Sequence, residues 1–306
     1  MSLVSMFKGK GPSGFGYGST ADEVTKGLDL TGRTILLTGC NSGIGKETLR
    51  VLAMRGAQVI AAARTVEKSQ AACDEVGGET KPVACELSEP ASVQACVAEV
   101  KALGRPLSAI ICNAGIMALP KLHLQHGYEL QFFTNHIGHF LLVTSLLDQL
   151  ADDGRVVMVS SGAHNGAPKA GIQFDNLDCK RGYNPWANYG QSKLANILFA
   201  NALAKRLEGT AKTANSLHPG VIHTNLVRSM NPIAKIGLTI GAPLVLKSIA
   251  EGAATQTYLA VHPAVAGVSG KYFADCNESK TSRHGRDDAM AEKLWETSER
   301  IVAELT

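Results

Sequence analysis

Short apolar runs rich in β-branched residues alternate along this chain with segments long enough for a helix, and this alternation limits the possible folds most. The runs that predict strands are 34–38, 58–62, 82–85, 109–112, 155–159, 213–217 and 270–273. The segments that predict helices include 44–55, 91–103, 129–150, 189–207, 249–261 and 288–304. Strand, helix and strand repeated in this way predict a parallel sheet with helices on both faces. We therefore expect an α/β fold, a Rossmann-type doubly wound parallel sheet of about seven strands in a single domain.

The N-terminal extension and the region of about 221–250 depart from this pattern. Residues 1–27 form a glycine-rich extension in which Thr20 and Glu23 have capping-box spacing and Gly27 suits a helix stop, so a short helix is expected there. No linker rich in Pro, Gly or Ser divides the chain after Leu28, so residues 28–306 are expected to form one domain. Within it, residues of about 221–250 are expected to form a small C-terminal lid on the substrate side, with a simple packing helix as the alternative.

Composition and charge exclude several classes of protein. Of the 306 residues, 45% are hydrophobic and 19% are charged, which provides a large core and argues against disorder. The net charge is only +3 and the basic residues are scattered, so no nucleic-acid binding is expected. Lys235 and Lys247 interrupt the apolar region 233–250, which falls short of the ~20 residues that span a bilayer. No transmembrane segment is expected, although peripheral membrane contact remains open.

Cysteine and histidine spacing indicates neither disulfides nor a metal site. The seven cysteines include no Cys-x-x-Cys pair, and the first residues lack the apolar stretch of a secretory signal. Reduced thiols and a cytoplasmic location are therefore expected. Two histidine pairs have i, i+3 spacing without a carboxylate or cysteine pattern beside them, so we expect structural roles and no bound metal. These pairs are His123 with His126 and His136 with His139.

The first predicted strand runs directly into the glycine turn TGCNSGIG at 38–45, and a predicted helix follows. At such a helix start, unpaired backbone N–H groups and the helix dipole can hold a pyrophosphate. The spacing is Gly-x-x-x-Gly-x-Gly, which differs from the general Gly-x-Gly-x-x-Gly pattern. A plain turn is the alternative, but the position between the first strand and the first helix favours a nucleotide. The predicted cofactor contacts in this turn are Gly39, Asn41, Ser42, Gly43, Ile44 and Gly45.

The end of the second predicted strand indicates which nucleotide binds. A carboxylate at this place holds the ribose hydroxyls of NAD, whereas a basic residue suits the 2′-phosphate of NADP. Here the strand ends Ala61-Ala-Ala-Arg64 without an acidic residue. The Arg64 guanidinium can form charge-assisted hydrogen bonds with a phosphate, so NADP(H) is the predicted cofactor. A solvated arginine at a strand end is the alternative interpretation.

Tyr189 and Lys193 lie on one face of a predicted helix that begins at Tyr189. No side chain can donate hydride, so a nucleotide-dependent enzyme must place a proton donor beside its substrate. A free phenol has a pKa of about 10, and lowering this pKa to about 7 takes ~4 kcal/mol. One cation about 4 Å away supplies about 4 kcal/mol at an effective dielectric constant of about 20. Lys193 is thus sufficient in principle, and the alternative is a pair that shares a helix face without a joint role.

Together these motifs resemble the short-chain dehydrogenase/reductase family across 28–273. The matching marks are the TGCNSGIG loop, CNAG at 112–115, Asn135, Ser160-Ser161, YGQSK at 189–193 and HPG at 218–220. The segments TNHIGHF, YGQSKLANILFA, SLHPGVIHTNL and GVSGKYFADC look like the retinol-dehydrogenase and WW-domain-oxidoreductase branch. The head KGPSGFGYGSTADEVTKGLDLTGRT is similar to Tic32-like members, which are related to plant chloroplast-envelope proteins.

The resemblance implies roles for individual residues. Tyr189 would be the acid/base, Lys193 its cationic partner and a ribose ligand, and Ser161 the hydroxyl that orients the carbonyl. Asn135 would anchor a proton-relay water, and Ser160 is the less favoured neighbour of Ser161. The further cofactor contacts implied are Glu86 and Leu87 near adenine, Asn113, Ala114 and Gly115 along the cofactor, and Pro219, Gly220, Ile222 and Thr224 near the nicotinamide.

Two positions depart from the family pattern. The family usually has Asp before Leu87, where this chain has Glu86, so the contact with adenine can shift. Many members have a second Asn where this chain has Cys112, a change that we expect to be tolerated.

The sequence thus predicts an NADP(H)-dependent oxidoreductase that interconverts an alcohol and a ketone or aldehyde, with an apolar small-molecule substrate. One alternative is an NADP(H)-binding redox-sensing or assembly factor with little turnover, which the Tic32-like resemblance permits. A sugar-nucleotide epimerase or dehydratase is disfavoured by the glycine spacing. Monomer and homodimer both remain open.

Overall fold

A central sheet of eight strands and a separate two-stranded hairpin organise the chain. The computed structural model describes residues 9–222 and 246–306. The strands are β1 Thr34–Thr38, β2 Gln58–Ala63, β3 Thr80–Ala84, β4 Leu107–Cys112, β5 Leu124–Gln125, β6 Tyr128–Glu129, β7 Leu150–Val159, β8 Thr213–His218, β9 Tyr272–Ala274 and β10 Asn277–Glu278. The strand order in the sheet is β10-β9-β8-β7-β4-β1-β2-β3, and the hairpin pairs β5 with β6.

The helices lie between these strands and cover the sheet. They are α1 Ala21–Val24, α2 Gly43–Met54, α3 Val66–Val76, α4 Pro90–Ala102, α5 (an opening turn Leu130–Phe132, a π-helical segment Phe133–Ile137 and the stretch Gly138–Thr144), α6 Pro185–Arg206, α7 Ile249–Val261 and α8 Asp288–Leu305. Short 3₁₀ turns at Leu147–Gln149, Gly162–Gly166, Pro263–Val265 and His284–Arg286 connect some of them.

The sheet is parallel except for its last edge pairing, in which β10 runs antiparallel to β9. Side chains of β1 alternate between two cores, because Leu36 belongs to the cluster on one face and Ile35 and Leu37 belong to the cluster on the other. This arrangement confirms the predicted Rossmann-type doubly wound sheet. The sequence did not predict the two-residue strand β10 of this sheet or the short hairpin strands β5 and β6.

The strand order reverses between β1 and β4, which are neighbours in the sheet although they are distant in the chain. Connections from β1 and from β4 leave in opposite directions at this point, so a crevice opens at the carboxyl ends of the strands. The glycine turn follows β1 and Asn113 follows β4, so both predicted cofactor elements lie at this crevice.

The predicted helix 129–150 is wrong in its continuity and in its end. The helix α5 contains a π-helical segment and ends at Thr144, and β7 begins at Leu150, which pairs with Leu107 of β4. Helical periodicity across the apolar run did not reveal this boundary, because pairing with a distant strand decides it.

Two other helix predictions need correction. The helix that carries Tyr189 begins at Pro185, because the Asn184 side chain accepts hydrogen bonds from the first-turn N–H groups and Pro185 suits the first helical position. Helix α3, which was not predicted, begins after Thr65, whose side chain accepts a hydrogen bond from the Lys68 N–H. Both helix starts therefore carry local capping signals.

The N-terminal extension contains the expected capped helix and packs on the domain. Thr20 and Glu23 form both hydrogen bonds of a capping box at the start of α1. The Phe15 ring lies 5.7 Å from the Tyr258 ring, and the Asn277 side chain binds the Phe15 carbonyl oxygen at 3.0 Å. Most of the predicted lid, residues 223–245, lies outside the described residues. Within the described parts of the chain, we find no helix whose length and apolar character would let it cross a membrane.

Candidate active site

Two glycines shape the turn after β1. Gly39 has a φ of +71°, and a Cβ atom there would lie 2.9 Å from Asn113 Nδ2. A Cβ atom on Gly45 would lie 2.0 Å from the Gly39 carbonyl oxygen, so neither position accepts a larger residue. Asn113 Nδ2 donates hydrogen bonds to the carbonyl oxygens of Thr38 at 2.8 Å and Gly39 at 3.2 Å. The neighbouring strand therefore holds the turn in one shape.

The N-terminus of α2 faces a cleft of about 470 Å³. Ser42 occupies the N-cap position, but its side chain forms no capping hydrogen bond, so the first N–H groups of α2 have no side-chain cap. A glycine cradle beside an uncapped helix start suits a pyrophosphate, so these residues fit a dinucleotide. The cleft brings together the predicted contacts Gly39, Asn41, Ser42, Gly43, Ile44, Gly45, Arg64, Glu86, Leu87, Asn113, Ala114 and Gly115.

Arg64 and Glu86 line this cleft directly after β2 and shortly after β3. Arg64 is exposed and forms no ion pair with any residue that the structure describes. The Glu86 carboxylate accepts hydrogen bonds from the N–H group and the hydroxyl of Ser88, at 3.2 and 2.9 Å. The longer acidic side chain is thus held by its own turn, while the Arg64 guanidinium is available to an anion.

A second cleft of about 640 Å³ continues from the first, since both are lined by Ile44, Asn113, Gly115 and Ile116. The second cleft contains three predicted catalytic residues and three predicted nicotinamide contacts. These are Ser161, Tyr189 and Lys193, together with Pro219, Gly220 and Ile222. Thr224, the remaining predicted contact, lies outside the described residues.

The two serines after β7 differ in what their hydroxyl groups contact. Ser160 is 2% exposed, and its hydroxyl donates to the carbonyl oxygen of Lys193 at 2.7 Å. Ser161 lines the second cleft, and its oxygen accepts a hydrogen bond from the Ala163 N–H at 3.2 Å. Its hydroxyl is hydrogen-bonded to Tyr189, which lines the same cleft, whereas the Ser160 hydroxyl is bound to the backbone, and this favours Ser161 over Ser160 as the residue that contacts a substrate.

The expected lowering of the Tyr189 pKa is not found in this arrangement. Burial raises the pKa of Tyr189, and the hydrogen bond from Ser161 opposes this rise only in part. The Lys193 ammonium lies 5.8 Å from the centre of the Tyr189 ring and donates a hydrogen bond to the carbonyl oxygen of Val159 at 3.0 Å. Burial also lowers the pKa of Lys193 to about 8. Lys193 is thus a weaker base than an exposed lysine, and its ammonium hydrogen-bonds to a backbone carbonyl oxygen.

Asn135 lies behind these residues in the π-helical segment of α5. Its Oδ1 atom accepts a hydrogen bond from the Ile116 N–H at 2.8 Å, and Nδ2 donates to the Ile116 carbonyl oxygen and to Ser192 Oγ, each at 2.9 Å. A Cβ atom on Gly115 would lie 3.0 Å from Asn135 Oδ1 and 3.2 Å from Lys193 Nζ, so the two side chains flank Gly115. Asn135 therefore joins the loop after β4 to the helix that carries Lys193.

A buried hydrogen-bond chain that the sequence analysis did not identify connects the glycine turn to Asn135. Thr38 Oγ1 accepts from the N–H groups of Asn113 and Ala114, each at 3.0 Å. His139 Nδ1 lies 3.0 Å from the Asn135 carbonyl oxygen, which can only accept, so Nε2 accepts from Thr38 at 2.9 Å. Burial lowers the pKa of His139 to about 4, which keeps the ring neutral. The i, i+4 spacing of Asn135 and His139 was the available sequence signal.

The outer wall of the second cleft is apolar. Trp186 is 52% exposed and Val221 is 55% exposed, although both are large apolar side chains. Met117 lines the same cleft, and the Trp186 ring lies 6.4 Å from the Tyr189 ring. Apolar surface is thus exposed beside the phenol, where a substrate can cover it.

His136, His139 and the cysteines lie in the interior of the protein. His136 and His139 are fully buried, and all seven cysteines are buried as free thiols. Among the residues that the structure describes, no group of three or more His, Cys, Asp or Glu side chains is arranged to hold a metal ion.

Comparison with known proteins identifies sequence relatives of this chain. The family described as short chain dehydrogenase matches residues 33–234. The chain is 41% identical to "Short-chain dehydrogenase TIC 32 B, chloroplastic" of Brassica napus, over 100% of both proteins. It is 38% identical to "Retinol dehydrogenase 14" of Homo sapiens, over 89% of this chain and 87% of that protein.

Solved structures show the same architecture. An uncharacterised protein from Mycobacterium paratuberculosis is 34% identical with a TM-score of 0.76, and the match covers 94% of this chain and 98% of that one. A short-chain type dehydrogenase/reductase from Mycobacterium marinum is 25% identical with a TM-score of 0.64, over 82% of this chain and 96% of that one. The sequence comparison and the fold comparison therefore both identify short-chain dehydrogenases as similar proteins.

Proposed function

Because this chain belongs to the short-chain dehydrogenase family of oxidoreductases, which act on CH–OH donors with NAD(P)(H), we propose that it uses NADP(H) and interconverts an apolar alcohol with its ketone or aldehyde. The observation that carries the proposal is the meeting of Ser161, Tyr189 and Lys193 in a cleft continuous with the cleft of the glycine turn. The nicotinamide supplies hydride when it is bound, and the residues around it bind and orient the substrate and move its proton.

In the proposed reduction, Tyr189 donates its phenolic proton to the carbonyl oxygen of the substrate as negative charge develops there. The Ser161 hydroxyl donates a second hydrogen bond to the same oxygen and holds it in place. The Lys193 ammonium stabilises the phenolate that remains on Tyr189. In the direction of oxidation, the same groups remove the proton from the alcohol.

The test of this role is the conversion of Tyr189 to phenylalanine. Purified protein with NADPH and a panel of apolar aldehydes and ketones should consume NADPH, and Tyr189→Phe should lower kcat by at least about 100-fold, because general acid catalysis is lost. Tyr128→Phe makes the same change outside both clefts and should keep the activity. Normal turnover by the Tyr189 variant would exclude this residue as the acid.

Arg64 supports the proposed preference for NADP(H). Arg64→Ala should raise the Kd of NADPH by about 10-fold or more and leave the Kd of NADH nearly unchanged, because only NADPH has the 2′-phosphate that Arg64 would bind through charged hydrogen bonds. Arg50→Ala removes an exposed arginine from α2 that pairs with Glu47, and serves as the control. The affinities are measured by calorimetry. An equal loss of affinity for NADPH and NADH would show that Arg64 does not recognise the 2′-phosphate.

The apolar wall made by Trp186 and Val221 supports the choice of an apolar substrate.

A second candidate function is nucleotide binding with little turnover. The raised pKa of Tyr189 and the contact between Lys193 and Val159 favour it, since both weaken the proton donor. Tight NADPH binding without reduction of any carbonyl in the panel would establish this second function.

A further inference from the structure

His218, at the end of β8, forms part of the wall of the second cleft and has no role in the proposed proton transfer. The Gly162 N–H group donates a hydrogen bond to His218 Nδ1 at 3.0 Å. Gly162 directly follows Ser161, and a Cβ atom on Gly162 would lie 3.5 Å from His218 Nε2. The imidazole is therefore a direct neighbour of the backbone that carries the Ser161 hydroxyl.

The hydrogen bond from Gly162 determines which ring nitrogen carries the proton. A backbone N–H can only donate, so Nδ1 of His218 is unprotonated and the neutral ring carries its proton on Nε2. Burial, and to a smaller extent the charge of Lys247, lower the pKa of His218 to about 4, while Asp275 partly opposes this. His164, also beside it, has its own pKa lowered by burial. The ring is thus a neutral hydrogen-bond donor at ordinary pH.

The Nε2–H group of His218 has no hydrogen-bond acceptor among the residues that the structure describes. Nε2 is also not one of the solvent-inaccessible polar atoms that lack a partner, so it is open to the cleft. The ring borders the same cleft as Trp186, Val221 and Ile222, whose side chains offer no acceptor. A donor in such a wall loses its water when an apolar ligand enters, so a ligand that supplies an acceptor gains affinity over one that does not.

Building on the proposed function, we propose that the His218 Nε2–H binds a second oxygen of the substrate, so that preferred substrates are apolar carbonyl compounds with another acceptor oxygen near the reacting carbonyl. Diketones and hydroxyketones belong to this class. The reacting oxygen itself is bound by Tyr189 and Ser161, which leaves His218 for the second oxygen. His218 is then a specificity-determining residue.

A pair of substitutions separates this role from support of the Ser161 backbone. In His218→Asn the Oδ1 atom occupies the place of Nδ1 and can accept from Gly162, but the amide cannot reach the place of Nε2. In His218→Gln the amide nitrogen can reach that place, while the acceptor for Gly162 is lost. His123→Asn makes the same exchange at an exposed histidine and is the control.

The measurement compares hexanone with the hexanedione isomers, with NADPH as cofactor. For His218→Asn, the ratio of hexanedione to hexanone kcat/KM should fall by about 3- to 10-fold for the best isomer, the effect of one neutral hydrogen bond. His218→Gln should lower kcat/KM for both ketones and keep the ratio closer to that of the unaltered protein. Since the ring has a pKa of about 4 and stays neutral with its proton on Nε2, the preference should not change between neutral and mildly alkaline pH.

Binding measured without turnover distinguishes failure of this proposal from failure of the proposed function. Calorimetry with the NADPH-loaded Tyr189→Phe protein should give a lower Kd for hexanedione than for hexanone, and the additional His218→Asn change should remove the difference. A loss of kcat/KM in His218→Asn that is equal for both ketones, an unchanged ratio, or a weakened affinity for NADPH would each overturn the proposal. So would equal Kd values for the two ketones.

Discussion

The ionisable side chain of Lys193 lies in the protein interior, and only 4% of the residue is exposed. Burial lowers the pKa of this ammonium from 10.5 to about 8, and the Val159 carbonyl oxygen is the acceptor for its hydrogen bond. The unfolded chain holds the proton up to a higher pH than the folded chain does. Between pH 8 and 10.5 the unfolded state therefore binds more protons, and the free energy of unfolding should rise with pH because of this residue.

The same shift gives a prediction for activity. Carbonyl reduction should be highest below pH 8 and fall as the pH passes about 8, because the neutral amine no longer stabilises the Tyr189 phenolate. Lys193→Arg keeps the positive charge at higher pH, so its rate, although lower, should not fall in this range. The measurement is kcat/KM against pH for both proteins. An identical fall in the arginine variant would assign the titration to another group.

Helix α6 is the element that sets the spacing of the catalytic residues. Its first turn is fixed by Asn184, whose Oδ1 atom accepts from the N–H groups of Trp186 and Ala187 at 3.1 and 2.9 Å. Further along, Asn196 Nδ2 donates to the Val159 carbonyl oxygen at 3.1 Å, which holds the helix against the end of β7. Tyr189 lies between these two attachments, so its position relative to Ser161 depends on both.

Removal of the helix cap should be measurable. Asn184→Ala should lower the free energy of unfolding by about 1 kcal/mol, because two N–H groups at the helix start lose their acceptor. Asn184→Asp also places an acceptor oxygen at the cap and should stay close to the unaltered protein. Equilibrium unfolding in urea measures both. Equal destabilisation by alanine and aspartate would mean that the amide nitrogen of Asn184, rather than its capping oxygen, stabilises the helix.

At the scale of the whole molecule, the C-terminal helix α8 packs behind the active site. The Trp295 ring lies 5.0 Å from the Phe140 ring of α5 and 5.6 Å from the Phe199 ring of α6. The Arg206 guanidinium lies 3.9 Å from the centre of the Trp295 ring and pairs with Glu292 of α8. The helices that carry Asn135, Tyr189 and Lys193 are thus stabilised by the last element of the chain.

The two tryptophans provide a matched pair for this conclusion. Trp295, at 6% exposed, belongs to the core, whereas Trp186, at 52% exposed, borders the second cleft. Trp295→Ala should lower the free energy of unfolding by about 3–5 kcal/mol, and Trp186→Ala should lower it by no more than about 0.5 kcal/mol. Trp186→Ala should instead raise KM for apolar ketones. Similar stability losses in both variants would contradict this division of roles.

The sequence by itself determined the features that are encoded within a strand or a helical turn. The alternation of apolar runs predicted the doubly wound sheet, because the periods of strands and helices are local. The glycine turn and the positions of Ser161, Tyr189 and Lys193 followed from motifs, and the structure places these residues along two continuous clefts. The start of α6 was also encoded locally, in Asn184-Pro185, four residues before the predicted start at Tyr189.

Only the tertiary structure decided the features that depend on partners distant in the chain. Pairing with Leu107 begins β7 at Leu150, where the apolar pattern alone is equally compatible with a helix. The carbonyl oxygen of Val159 became the acceptor for the Lys193 ammonium, and the Gly162 N–H set the protonated nitrogen of His218. Hydrogen-bond partners and burial depend on which elements meet in space, so neither spacing nor composition contains them.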